Sequence, residues 1–382
     1  MFGFKIKEAS AVLTGGFAIF AMFFGAGNLI FPLLSGKLNT SAFLPAFSGL
    51  ALTGIFVPLL GLIATLLYNG NYKDFFDRFG KVPAFVLIFF LLLLMGPFGA
   101  LPRCLTVAFG SFSVLIPNAS LMLFSMVMTG IIFLLCLNKN QVVPLIGSIL
   151  GPAKIISVGL ILLFGLLFAT TPEISTVSSL VAFEDGFSKG YQMMDLLASF
   201  FFATVIVRHF QVNFSKEGKT SAFWLSLYAI LIGSGLLFLI YFALIYLGAT
   251  FANALGQNAP EQFLSIIAYL TLGNFGGRVV SVAIILSCLT TIVALTTVFT
   301  DYIYEHIVKG RLQRLYCLGL TCVVTFSMSN LGFSGIVSFL DPILTYLYPL
   351  LIALTLINIG TWIWRNSRTL KTSKSKNEVY LG

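Results

Sequence analysis

Charge is scarce in this chain. Only 9% of its 382 residues are Asp, Glu, Lys or Arg, against about 25% in an ordinary soluble domain. So little charge cannot solvate the surface of a water-soluble protein of this length. Histidine is nearly absent too. His209 and His306 have no partners at metal-ligand spacing, which excludes a histidine metal centre. Five cysteines (Cys104, Cys136, Cys288, Cys317, Cys322) fall inside apolar runs, without disulfide or metal spacing, and read as reduced packing residues. Gly25-Ala26-Gly27 lacks the third glycine and the preceding strand of a dinucleotide loop. No phosphate-binding loop is present, so the chain alone is not an ATP-driven pump. No acid–base or nucleophile constellation is present either, so we expect no enzyme and no organic cofactor.

What is there belongs in a bilayer. Hydrophobic residues make up 58% of the chain, with 40 phenylalanines, and the mean hydropathy is +1.00. The net charge of +9 sits in short loops and tails. It therefore reads as a topology signal rather than a nucleic-acid surface. Lys5 and Lys7 precede the first apolar run as in a signal peptide. No small-residue cleavage site follows, so that run is expected to be a retained span.

Ten runs are long enough to span as helices: 9–35, 42–68, 83–113, 119–137, 146–170, 189–210, 220–249, 277–304, 312–330 and 334–364, followed by a basic tail, 365–382. The expected fold is an all-α integral membrane protein with ten transmembrane helices. Basic residues segregate across this count. Lys73, Arg78, Lys139, Arg208, Lys216, Arg311 and Arg365, among others, fall on one side. Only Lys37, Lys189 and Arg278 fall on the other. Both termini are therefore expected in the cytoplasm. Residues 69–81 read as an amphipathic helix on that surface. In the connection 250–276, Pro260–Leu272 reads as a helical lid, and the tail reads as a flexible segment contacting anionic lipid. Ten spans divide into five plus five, and an odd number per half would invert one half relative to the other.

Several of these runs are interrupted by polar or small residues. The first carries Phe20-Ala21-Met22-Phe23-Phe24-Gly25-Ala26-Gly27-Asn28-Leu29-Ile30-Phe31-Pro32. Unwound backbone survives in hydrocarbon only where it lines a cavity or meets a ligand, although the same glycines could serve a close helix crossing. The sixth run opens Gly186-Phe187-Ser188-Lys189-Gly190-Tyr191-Gln192-Met193-Met194-Asp195 and heads the second group of five. Paired interruptions at matching places mark transporter sites; ordinary packing is the alternative. In the eighth run Ser287, Thr290, Ala294, Thr297 and Asp301 share one small or polar helix face. Its oxygens suit a hard cation, or simply bond back to the preceding turn. Arg103 lies deep in run three and needs a partner. Asp195 and Asp341 are the available carboxylates, giving a structural ion pair or a gate. Lys154 either snorkels to the surface or reaches the polar centre and couples transport to protons.

The first-run stretch resembles the signature of the branched-chain amino acid (Leu/Ile/Val) cation symporters. Gly96-Pro97…Pro102-Arg103, Gly186-Phe187…Gly190-Tyr191…Met194-Asp195 and Cys288-Leu289-Thr290-Thr291 are similar to the same family, with a weaker match at Asn330-Leu331-Gly332 and Tyr348-Pro349. The resemblance implies a LeuT-type fold of the amino acid/polyamine/organocation superfamily, a 5+5 inverted repeat with helices 1 and 6 discontinuous. It implies that Gly25, Ala26, Gly27, Asn28, Met194, Asp195, Ser199 and Phe201 contact substrate, with the Ala26 and Gly27 N–H groups on its carboxylate. Ala21, Phe24, Ser287, Thr290 and Thr291 would hold Na⁺, while Arg103, Lys154 and Asp341 would serve gating or coupling. It also implies a bacterial cytoplasmic (inner) membrane location.

The chain departs from the family pattern in ending after ten spans rather than twelve. It also lacks a glutamate at Ala108-Phe109-Gly110, and carries unusual residues at Lys154 and Asp341. The expected function is import of a small hydrophobic amino acid by Na⁺ (or H⁺) symport with alternating access. The expected partners are substrate and lipid, with no nucleic acid and no assigned oligomeric state. A proton-coupled carrier of another amino acid and a non-transporting amino-acid receptor stay open beside it.

Overall fold

The computed structural model describes residues 6–137, 151–214 and 219–379, and among them every regular element is helical. By length and composition six stretches can cross a membrane: Ala26–Leu67, Lys81–Leu115, Asp195–Phe214, Ala222–Thr250, Pro260–Ile307 and Gly332–Trp364. Four shorter apolar helices, Glu8–Phe23, Leu121–Leu137, Val158–Leu167 and Arg314–Ser329, accompany them.

The first predicted run is two helices, α1 (Ile6–Phe23) and α2 (Ala26–Asn39). The second is α3 (Phe43–Ala51) and α4 (Val57–Leu67), joined through a π-helical turn at Leu52–Phe56. A short α5 (Tyr72–Phe76) follows, capped by the Asn71 side chain on the Lys73 N–H at 3.0 Å. Two aromatics of the expected amphipathic helix turn inward rather than outward. Phe75 and Phe76 are fully buried against Phe200, with ring centroids 4.9 and 5.1 Å away.

The third run, read as one span, is divided into α6 (Lys81–Met95) and α7 (Ala100–Leu115). Pro97 has no N–H to donate. The turn instead closes through Gly96 N–H to Leu92 O (2.8 Å) and Leu101 N–H to Gly96 O (3.2 Å). α8 (Leu121–Leu137) and α9 (Gly151–Leu167) complete the first group.

The sixth run begins ten residues earlier than its hydropathy indicates. α10 (Ser179–Met193) takes Ser178 as its cap and is followed by α11 (Asp195–Phe214). Glu184, Asp185 and Lys189 hide the start of α10 from a hydropathy reading. Asp185 is satisfied there by the Ser35 hydroxyl (2.7 Å) and the Asn39 amide (2.8 Å) from α2. α12 (Lys219–Thr250) and a short α13 (Ala252–Leu255) lead to α14 (Phe263–Tyr302). Gly273 (φ 70°, ψ −174°) bends α14, separating the expected lid from run eight. α15 (Arg314–Ser329) and α16 (Gly332–Val379) close the chain. The tail expected from residue 365 continues α16 as helix.

The main packing joins the first group to the second. α3 lies on α10 and α4 on α11, while α1 and α2 both lie along α12. α7 and α9 pack against α14, α8 against α15, and α16 reaches α4 and α7. Small residues set the closest of these approaches. A Cβ on Gly186 would overlap the Ala46 carbonyl, one on Gly49 the Phe183 carbonyl, and one on Gly190 the Thr53 hydroxyl. In the sixth run, then, Gly186 and Gly190 are packing residues of the α3–α10 crossing.

Candidate functional site

The α1–α2 and α10–α11 breaks meet at one partly enclosed cavity of about 80 Å³, room for several water molecules. Its wall carries Gly25, Ala26, Gly27 and Asn28 from the first break and Met193, Met194 and Asp195 from the second. Arg103 and Cys104 come from α7 and Thr291 from α14. Met22, Phe23, Met95, Ala198, Phe202 and Leu295 supply apolar surface.

At the first break the Gly25 N–H abandons the helical ladder. It donates to Phe23 O (2.6 Å) and to Asn28 Oδ1 (3.2 Å), so the Ala21 carbonyl loses its i+4 donor. Asn28 thus reaches back over the N-terminus of α2, as a capping side chain does. Ala26 and Gly27 occupy the first two positions of α2, where N–H groups lie outside the intrahelical ladder.

At the second break Met194 adopts a left-handed conformation (φ 66°, ψ 20°) and terminates α10, its N–H donating to Tyr191 O at 3.0 Å. Asp195 then opens α11, where the positive pole of the helix favours its carboxylate.

Asn28 ties the two breaks together. Its amide donates to Asp195 Oδ2 at 2.7 Å and to the Tyr241 hydroxyl of α12. Tyr241 in turn donates to the same carboxylate oxygen at 3.0 Å. All three side chains are buried, and they bond to one another.

Arg103 forms no ion pair with Asp195 or Asp341, contrary to the pairing its depth suggests. Its Nη1 donates to the Gln192 carbonyl (2.5 Å) in the last turn of α10, and its guanidinium lies 5.8 Å from the Phe31 ring centroid. A cation at a helix C-terminus meets the negative pole of the dipole. The Gln192 side chain donates to Asp341 at 2.6 Å, which links Asp341 to this region.

Two expected substrate residues lie off the cavity. Ser199 is fully buried toward α4, bonded to Leu196 O (2.7 Å) and filling the space beside Gly61. Phe201 packs on Tyr72 with centroids 5.1 Å apart. Its neighbour Phe202 lines the cavity instead, facing Phe23 edge-on at 5.1 Å.

Of the expected ion ligands, Thr291 lines the cavity, while Ser287 and Thr290 are buried behind it. The Thr290 and Thr291 hydroxyls both donate to Ser287 O, at 2.7 and 3.2 Å. Their oxygens keep lone pairs suited to a hard cation. Ala21 is half-buried and Phe24 fully buried on the opposite, α1 side. The Lys154 side chain lies outside the described residues. Reasoning from sequence misses Tyr241, Gln192, Cys104 and Phe202. α12 carries three tyrosines, Tyr228, Tyr241 and Tyr246, so residue type alone does not single out Tyr241, although a buried hydroxyl requires a partner.

A mostly apolar cavity with a few polar groups, set between interrupted helices of an apolar helical protein, has the form of a membrane transporter's site. A family model described as "Branched-chain amino acid transport protein" matches residues 8–375. The chain is 33% identical over 366 residues to the branched-chain amino acid permease BraB of Bacillus subtilis (strain 168), covering 92% of this chain and 80% of that protein. It is 30% identical over 367 residues to the branched-chain amino acid permease BrnQ of Salmonella typhimurium, covering 93% and 82%. The chain belongs to the branched-chain amino acid transport protein family, a family of transporters and not of enzymes. Among solved structures it is similar to a manganese transporter of Eremococcus coleocola, at 12% identity and a TM-score of 0.46 over 95% of this chain and 96% of that one.

Proposed function

We propose that this protein imports branched-chain amino acids (Leu, Ile, Val) by cation symport, with Na⁺ as the coupling ion, through alternating access. The observation that carries the reading is the Asn28–Asp195–Tyr241 cluster, which joins the two helix breaks at one cavity. The Ala26 and Gly27 N–H groups receive the substrate carboxylate at the positive end of α2. Met22, Met95, Ala198, Phe202 and Leu295 enclose the aliphatic side chain, an apolar lining with few polar groups, as small-molecule sites have. Na⁺ sits between the first break and α14, with the Ala21, Phe24 and Ser287 carbonyls and the Thr290 and Thr291 hydroxyls as ligands.

The same reading takes the fold as ten spans in a 5+5 inverted repeat. Contacts support it by exchanging under a shift of five spans. Span 2 packs on span 6 as span 1 packs on span 7, and spans 3 and 8, like spans 4 and 9, pack on each other. Substrate and ion share one cavity, so each favours the state that holds both, and the ion gradient drives import. Both termini lie in the cytoplasm of a bacterial inner membrane.

Labelled leucine uptake into proteoliposomes tests this. Uptake is expected under a sodium gradient and not under a proton gradient alone. Thr291→Val is expected to lose sodium dependence while retaining its folded yield. Leucine binding with no uptake under either gradient would replace the carrier with a receptor.

A further inference from the structure

Among the described residues, Arg103 and Asp195 are the only charged side chains on the cavity wall, one of each sign. Both are 3% exposed. Buried charges are ordinarily matched to each other, because leaving either unpaired in an apolar setting is costly. Here no direct ion pair joins them, although each lies within the other's field. Arg103 uses Nη1 on the Gln192 carbonyl, and its Nε is buried without a partner. Asp195 uses Oδ2 on Asn28 and Tyr241. Among the described residues no hydrogen bond reaches Asp195 Oδ1 or Arg103 Nη2. Both groups adjoin the start of α2, Arg103 over Phe31 and Asp195 on Asn28. The cavity is neutral overall but has separate positive and negative poles beside an apolar wall.

We infer that Arg103 and Asp195 are the specificity residues that read the substrate as a zwitterion. The guanidinium takes the α-carboxylate together with the Ala26 and Gly27 N–H groups, and Asp195 Oδ1 takes the α-ammonium. This rests on the functional reading above and deepens it. Asp195 Oδ1 and the remaining guanidinium N–H groups gain partners only when an amino acid is bound, so a ligand with one charge leaves the opposite group short of one. A charge-assisted hydrogen bond stabilises more than a neutral one, and a group left unpaired disfavours the wrong ligand more strongly than its absence weakens the right one. A purely structural Arg103, capping α10, would have no such effect on ligand choice.

The test is competition against labelled leucine on the full-length purified protein. The competitors are leucine, 4-methylpentanoate (no ammonium) and 3-methylbutylamine (no carboxylate). For the unsubstituted protein both analogues are expected to bind at least about 100-fold more weakly than leucine. Asp195→Asn removes the negative pole and keeps the shape. It is expected to weaken leucine about 10- to 100-fold and to bring 4-methylpentanoate to within about tenfold of it. Arg103→Gln is expected to shift preference the opposite way, toward 3-methylbutylamine. If both variants bind leucine with the unsubstituted ranking of analogues, the assignment of the poles is wrong. Should either variant fail to fold, the unsubstituted protein still decides, because an analogue that competes as well as leucine shows that its missing charge is not read. Absence of leucine binding by the unsubstituted protein would overturn the functional reading and this inference together. Leucine binding with no charge selectivity overturns this inference alone.

Discussion

The two helix breaks at the cavity do the same job with different parts. The first is written locally. Gly25 is extended (φ −99°, ψ −166°), and Asn28 reaches back three residues to its N–H. The second is not. Met194, a bulky residue, holds a left-handed conformation that costs of order 1–3 kcal/mol outside glycine. It is 3% exposed, and its side chain ends against Gly99 at the break of the third run. The glycines near it, Gly186 and Gly190, serve the α3–α10 crossing instead. One break is thus made by its own sequence and the other is imposed by its neighbours.

That contrast can be pressed hardest at Gly190. A side chain there meets the Thr53 hydroxyl and the Gly54 backbone nitrogen, and backbone cannot yield as a flexible side chain can. Gly190→Leu is expected to cost about 3 kcal/mol or more and to abolish folded protein in fluorescence size-exclusion. Wild-type yield would mean that α10 is not held by α3.

Asn28→Ala comes next. It removes the crossbar between the breaks, leaving Asp195 with Tyr241 alone, and is expected to cost about 1–3 kcal/mol in thermal stability. Leucine uptake should fall further than that loss of folded protein explains. Uptake unchanged at normal stability would show that the breaks are not coupled through Asn28.

Gly25→Ala should do least. The backbone there is open to any residue, and a Cβ would meet only Asn28 Oδ1 at 3.6 Å and Phe23 O at 3.7 Å. The expected change is under about 1 kcal/mol, with uptake retained. A large loss would return the first break to Gly25 and away from Asn28.

This difference also explains what the sequence could reveal. Apolar runs give helices, and Gly25–Asn28 marks the first break, because both signals are local. The start of α10 escapes because Asp185 is charged, and the Ser35 and Asn39 donors that satisfy it lie about 150 residues away in the chain. The break in run three is visible as Gly96-Pro97…Gly99, yet its flanks are apolar enough to pass for one span. Met194 gives no local signal at all. Within the site, Asn28, Asp195 and Arg103 are legible as polar groups in apolar runs, but their partners are not. Arg103 has two carboxylates available in the sequence and takes a backbone carbonyl, which no residue type announces. Ser199 and Phe201 lie off the cavity for a geometric reason. Successive helical residues point about 100° apart, so an uncertainty of one residue moves a side chain from the cavity, where Phe202 lies, to a packing face.

Cys104 allows the central claim, that substrate sits where the two breaks meet, to be tested without any substitution. It lines the cavity beside Arg103, whereas Cys322 lies between α8 and α15. Alkylation by a membrane-permeant maleimide, quantified per cysteine by mass spectrometry, should slow at Cys104 when leucine saturates the protein and stay unchanged at Cys322. Saturating leucine that leaves Cys104 labelling unaltered would place the substrate elsewhere and contradict the account.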